Sequence, residues 1–172
     1  GGTVTLSGKD SEIYGMDFGS TTPNASRNGF GAVYVESGLF TMEAGSIHDN
    51  KMNGRGGGVY VAKAGVFRMK GGTITKNEST AGSGVCVIDG TFSMTGGTIT
   101  ANEAKNSGQT KGIGIYTNTT IEYGGSASVT GNSDSAGANN IYLENTKDKD
   151  VQLRITSALE DSSVSGITMA LP

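Results

Sequence analysis

No tryptophan, one cysteine, one histidine and two prolines occur in the 172 residues, and each shortage removes a class of protein. A single cysteine, Cys86, cannot close an internal disulfide, so a small disulfide-stapled scaffold is excluded and the redox compartment is left open. Two prolines exclude a collagen-like or proline-rich linker chain. There is no excess of positive charge either. Thirteen basic against 16 acidic side chains leave no electrostatic footprint for a polyanion, and nucleic acid is not expected as a partner. No run approaches the roughly 20 apolar residues of a membrane span, so this segment is not expected to insert directly into a membrane. The chain starts Gly1-Gly2 instead of with a charged and then apolar leader, which puts the signal of an exported protein outside the segment.

What the chain has is glycine, 29 residues of it, and a period. Ala32-Val33-Tyr34-Val35, Gly58-Val59-Tyr60-Val61, Gly84-Val85-Cys86-Val87, Gly114-Ile115-Tyr116-Thr117 and Asn140-Ile141-Tyr142-Leu143 align as copies. Their second residues stand 26, 26, 30 and 26 positions apart. Each copy holds a second run, Phe40-Thr41-Met42, Phe67-Arg68-Met69, Phe92-Ser93-Met94 and Ile121-Glu122-Tyr123. A third run follows a small-residue turn: Ser46-Ile47-His48, Thr73-Ile74-Thr75, Thr98-Ile99-Thr100 and Ser128-Val129-Thr130. A fixed period of this length defines a repeat architecture. Alternation with period two makes each run a half-buried strand and excludes helical repeats. Arg68 stands where Thr41 stands one copy earlier, so that position is expected to face water, while Val33, Val35 and Ile47 face inward.

Three strands and three turns per copy trace one coil of a right-handed parallel β-helix of about five to six coils with three short parallel sheets. One coil cannot bury its apolar face alone, so neighbouring coils must stack and like residues must lie over like. Residues 1–172 are read as a single domain. Thr3-Val4-Thr5 is expected to be a third-sheet strand and residues 8–29 an inserted loop that shields the first coil. Residues 144–172 are expected to complete and cap the last coil. Coil length varies at the corner after the third strand, where loops on a rigid scaffold commonly serve recognition.

Asn50, Asn77, Asn102 and Asn132 close the third strand of successive copies in the pattern Ile/Val-x-x-Asn. Asparagine tolerates left-handed geometry at a corner, and its amide can both donate to and accept from the amide one coil away. These four are expected to form a structural ladder. The paired glycines 71 and 72, 96 and 97, and 124 and 125 mark the preceding corner; Gly54-Arg55-Gly56-Gly57-Gly58 lacks the Lys-Ser/Thr of a nucleotide loop and leads into a strand.

On these residues the chain resembles the right-handed parallel β-helix proteins of pectate-lyase-like architecture, in particular bacterial cell-surface and autotransporter-type adhesins. Gly-Gly-Thr-Ile-Thr-x-Asn at 71–77 and 96–102 is similar to the GG-x-I and F-x-x-N elements of polymorphic outer-membrane proteins, with Ile74 and Ile99 where that family carries phenylalanine. The resemblance implies an exported, anchored and larger bacterial protein, extracellular or at the cell surface, of which this chain is a segment.

Chemistry is sparse. Polysaccharide cleavage needs paired carboxylates, or acidic calcium ligands with a base, and the outward positions of the second and third sheets do not gather two carboxylates on adjacent coils. The stretch Glu144 to Asp150 alternates acids with lysines and reads as a solvated turn. His48 replaces a threonine and has no nucleophile with an orienting carboxylate to serve. No catalytic residue, cofactor or metal is expected. Tyr34, Tyr60, Cys86, Tyr116 and Tyr142 align as one outward row of the first sheet. Two readings stay open for it: a stack that stabilises the sheet by itself, or an aromatic row on which a glycan or host surface protein docks, with Tyr34, Tyr60, Tyr116 and Tyr142 as ligand-binding residues. The function expected is therefore a non-catalytic binding, adhesion or spacer module. The alternative is a polysaccharide lyase or glycoside hydrolase working from the corner loops, and more remotely ice binding by the Thr-x-Thr array. The oligomeric state does not follow from the sequence.

Overall fold

Runs of a few residues whose side chains alternate in and out cannot satisfy their own backbone groups, so each needs the N–H and C=O groups of a neighbour. In the computed structural model, which describes residues 2–17, 30–105, 111–134, 137–160 and 166–170, that neighbour is the equivalent run one coil away. The described residues form an all-β parallel solenoid of about five turns, with no helix.

The chain enters with β1 (Thr3–Leu6) and β2 (Glu12–Tyr14), then runs through β3 (Val33–Met42) and β4 (Ser46–His48). The next coil is β5 (Val59–Met69) and β6 (Thr73–Thr75), followed at the corner by β7 (Glu78–Ser79). Then come β8 (Val85–Val87), β9 (Thr91–Met94), β10 (Thr98–Thr100) and corner strand β11 (Glu103–Ala104). Strands β12 (Ile115–Thr117), β13 (Ile121–Gly125) and β14 (Ser128–Thr130) make a further coil, followed by a small corner hairpin of β15 (Ser133–Asp134) and β16 (Gly137–Ala138). The last strands are β17 (Ile141–Leu143), β18 (Leu153–Leu159) and β19 (Ile167–Met169).

Coil-to-coil pairing is parallel throughout, and the antiparallel pair β15–β16 is local to its hairpin. Because β3 and β5 run unbroken through the corner between first and second faces, the two faces join into one ten-stranded sheet. The third face is a separate sheet in the order β14-β10-β6-β4-β2. Pairing in register places Phe40, Phe67 and Phe92 in an inward column, with adjacent ring centroids 5.1 Å apart. Met42, Met69 and Met94 form a second column and Ile47, Ile74, Ile99 and Val129 a third, all fully buried. A continuous interior of this kind gains dispersion contacts along its whole length, since each side chain packs against a like one above and below.

Three expectations change. Thr3–Leu6 lies on the second face, paired with Leu39–Met42, because Val4 and Leu6 continue the Phe40 and Met42 columns. The third-face strand of that first coil is Glu12–Tyr14, paired with Ser46–His48, so residues 8–17 belong to the coil instead of to an insertion. The remainder of the expected loop, residues 18–29, lies outside the described residues. Thr41 is buried although Arg68 in the same column is exposed; it lies in register between Thr5 and Arg68.

Candidate functional site

The third strand of each coil ends in a residue of left-handed backbone followed by asparagine. The left-handed residues are Asp49, Lys76, Ala101 and Gly131, with φ between 51° and 65°. The sharp turn is therefore made one residue before the asparagine, whose own backbone is ordinary. That turn swings each carboxamide under the coil, where Asn50, Asn77, Asn102 and Asn132 are all buried. Each Nδ2 donates to the next Oδ1 at 2.9, 3.1 and 3.0 Å. The same Oδ1 atoms accept backbone N–H groups, and each Nδ2 also donates to a carbonyl of the preceding coil, as Asn77 does to Ile47 at 3.0 Å. A fifth rung comes from elsewhere in the sequence: the Asn140 Oδ1 accepts both the backbone N–H and the Nδ2 of Asn132, each at 2.9 Å. The repeat pattern does not mark it, because Asn140 stands in the first-strand column of Ala32, Gly58, Gly84 and Gly114 and not at the end of a third strand. The Asn77, Asn102 and Asn132 carboxamides each accept two hydrogen bonds and donate at least two within the protein, which makes these rungs a structural device.

The aromatic row is split by its surroundings. In the later coils the corner segments fold back over the outward side of the first face. Ala81 packs with Cys86, Tyr116 and Tyr142 in a second apolar cluster outside the main core, leaving Tyr116 and Tyr142 2% and 7% exposed. The Arg55 guanidinium lies 5.1 Å from the Tyr116 ring centre and the Lys111 ammonium 4.9 Å from that of Tyr142, so cations close the cluster from above. Burial, followed by the Glu144 carboxylate to which it hydrogen-bonds, raises the Tyr116 hydroxyl above the usual tyrosine range. Burial likewise pushes the Cys86 thiol up to about 12, which makes it inert as a nucleophile. The row is thus not one continuous platform, and Tyr116 and Tyr142 do not face solvent.

At the first coils the row does reach the surface. Phe30, absent from the aligned row because it precedes the strand, joins Tyr34 and Tyr60 there. Its ring centre lies 5.9 Å from Tyr34 and 4.8 Å from Tyr60, and the two tyrosines are 5.6 Å apart. Phe30 and Tyr34 are 47% and 48% exposed, with Tyr60 half-buried between them and its pKa raised mainly by desolvation.

Two polar groupings elsewhere are paired internally. His48 stacks on Tyr14 at 5.1 Å and lies 2.6 Å from an Asp49 carboxylate oxygen and 3.6 Å from one of Glu12. The Glu144 to Asp150 stretch is a turn closed by a Thr146–Lys149 bridge, with Lys149 paired to Asp89 at 2.9 Å. Among the described residues no group of three or more His, Cys, Asp and Glu side chains is placed to hold a metal ion.

Fold and site together define a parallel β-solenoid repeat protein with an internal asparagine ladder and, at its first coils, an aromatic trio of which Phe30 and Tyr34 are exposed. Comparison with protein-family models, with curated proteins and with solved structures finds no match.

Proposed function

We propose that the chain is a non-catalytic binding module of an exported, surface-displayed protein and that the trio Phe30, Tyr34 and Tyr60 is where it takes a carbohydrate. The observation that carries the reading is the exposure of Phe30 and Tyr34 side by side with half-buried Tyr60 on a rigid sheet, where water-exposed aromatic clusters are costly to keep without a use. The face of a sugar ring that bears its C–H groups is apolar and slightly positive, and it lies against the negative face of an aromatic ring. Two tyrosine hydroxyls add donors and acceptors for the sugar hydroxyls at the rim. A sheet backbone holds the rings with little left to order on binding, which favours affinity. Display at the cell surface rests on the likeness of the segments 71–77 and 96–102 to surface-protein repeats.

A glycan array followed by titration calorimetry tests this. The wild type is expected to retain a defined set of glycans, and the Tyr34→Ala, Tyr60→Ala double variant to bind them at least about tenfold more weakly. An Arg68→Ala variant, exposed on the second face, keeps full affinity. Glycan binding that survives loss of both rings, or no binding to any glycan, would sink the proposal. Release of shortened sugars from a bound polysaccharide would replace it with the polysaccharide-cleaving alternative.

A further inference from the structure

Asparagines at the corners of the coils meet two opposed chemical environments. Those of the ladder are followed by residues whose backbone N–H is already engaged: Lys51 donates to the Met16 carbonyl at 2.8 Å, Glu78 to that of Asn50 at 2.8 Å and Glu103 to that of Asn77 at 2.9 Å. Their carboxamides are buried and bonded to one another. Asn53, at the corner that leads from β4 into β5, differs in each respect. It is followed by glycine, it is only half-buried, and among the described residues the Gly54 N–H donates to no acceptor.

The backbone nitrogen that follows an asparagine can close a five-membered ring on the side-chain Cγ, provided that no hydrogen bond holds its N–H and no bulky residue hinders the approach. Glycine, without a Cβ, hinders it least. The corner is nevertheless anchored, because the Gly54 carbonyl accepts the Thr80 N–H at 3.0 Å and the Thr80 hydroxyl at 2.8 Å, and neither bond engages the Gly54 nitrogen. Lys105, two coils further along, donates its Nζ to the Asn53 Oδ1, and among the described residues this ammonium belongs to no ion pair. A cation on that oxygen stands where negative charge develops when the carbonyl is attacked.

We propose that Asn53 is a self-modification site, at which the chain converts its own asparagine to aspartate and isoaspartate. The Gly54 nitrogen gives its proton to solvent and bonds to the Asn53 Cγ, while Lys105 holds the charge that appears on Oδ1. The bond from Cγ to Nδ2 then breaks, Nδ2 takes a proton from solvent and leaves as ammonia, and a succinimide ring remains. One water opens the ring. Attack at Cγ restores the ordinary peptide and leaves aspartate; attack at the Asn53 backbone carbonyl leaves isoaspartate, with the main chain running through the former side chain and longer by one methylene. The net change is amide plus water to carboxylate plus ammonia, with no oxidant or cofactor involved. Either product sets a carboxylate at the corner that Lys105 reaches.

Peptide mapping of the folded 172-residue chain, aged at physiological pH and temperature, tests the proposal. Trypsin cuts after Lys51 and Arg55, so residues 52–55 are read by themselves. Residues 28–51 carry the other such pair, Asn28-Gly29, which lies outside the described residues, and residues 77–105 carry Asn77 and Asn102 of the ladder. The 52–55 peptide is expected to pass from amide to acid with time and to become a substrate of isoaspartyl methyltransferase, while the 77–105 peptide keeps its mass. Lys105→Met is expected to slow the conversion at least about threefold, and Lys105→Arg, which keeps the cation, to slow it less. Far-UV circular dichroism checks that the variants keep their strand content, and Lys105→Gln supplies a second neutral replacement should Lys105→Met not fold. A 52–55 peptide that stays unchanged, conversion of the 77–105 peptide at the same rate, or a folded neutral variant that converts as fast as the wild type would overturn the proposal. Sugar binding at the trio is measured separately and stands or falls independently.

Discussion

The Asn102 carboxamide meets a set of partners that no smaller side chain can replace. Its Oδ1 accepts the Asn77 backbone N–H at 3.0 Å and the Asn77 Nδ2 at 3.1 Å, while its Nδ2 donates to Ile74, Thr100 and Asn132. Asn102→Ala strands two buried donors of Asn77 and the carbonyls of Ile74 and Thr100, and an unsatisfied buried group is far more costly than a bond is favourable. The variant is expected to lose about 3 kcal/mol, read as a lower midpoint in chemical denaturation, with sugar binding at the distant trio unchanged at temperatures where it remains folded. The ladder residues were legible one by one because the Ile/Val-x-x-Asn spacing recurs. Asn140 was not, because its rung is supplied by a first-face position and only the bend of the chain through the β15–β16 hairpin brings it there.

At the scale of the element, two left-handed residues flank the third strand of each coil, besides the left-handed glycine that precedes the first strand at Gly31, Gly56, Gly82 and Gly112. One is the second glycine of the small-residue corner, with φ of 82°, 80°, 86° and 58° at Gly45, Gly72, Gly97 and Gly125. The other precedes the ladder asparagine and is a glycine only at Gly131; at the equivalent place Ala101 carries φ 51°. A residue with a Cβ is strained there by roughly 1 kcal/mol, while glycine gives back part of that in unfolded-chain entropy. Ala101→Gly is accordingly expected to raise stability by up to about 1 kcal/mol, visible as a higher thermal midpoint, and a lower midpoint would show that the alanine methyl has a packing role. The pattern of paired glycines announced the first corner in the sequence. At the second corner asparagine is the residue expected to take the left-handed geometry, yet it is needed for its amide and its preceding neighbour absorbs the turn.

Across the whole molecule, burial governs titration. Tyr60 and Tyr116 are raised, and Cys86 and Tyr123 are pushed up to about 12, in each case foremost by burial; the Tyr123 hydroxyl donates to the Ala127 carbonyl at 2.6 Å. Each of these groups holds its proton more tightly folded than unfolded, so unfolding releases protons and stability falls as pH rises. The contribution is fully present below the unfolded values, about 8.5 for a thiol and 10 for a tyrosine, and is lost as pH climbs through the raised folded values, about 12 for Cys86 and Tyr123. Denaturant midpoints measured from about pH 8 to 11 are expected to fall steadily, and Tyr123→Phe, which removes one such group, to fall less steeply over the same range. A wild-type midpoint independent of pH across that window would show that these side chains are more hydrated than the fold implies.

Period, strand parity and the asparagine spacing are local properties of the chain, and they were enough to determine the stacked parallel architecture, its inward columns and four of the five rungs. Parity assigns a side chain to the inner or outer side of its own strand, and nothing more. Whether an outward side chain meets water depends on what other segments pass over it, and so the tertiary structure alone decided that Tyr116 and Tyr142 are covered by the corner segments while Tyr34 and Tyr60 join Phe30 at the surface. The placement of Thr3–Leu6 has the same cause: a short alternating strand fits any of the three faces, and it was the side chains waiting in the adjacent coil, Phe40 and Met42, that selected one.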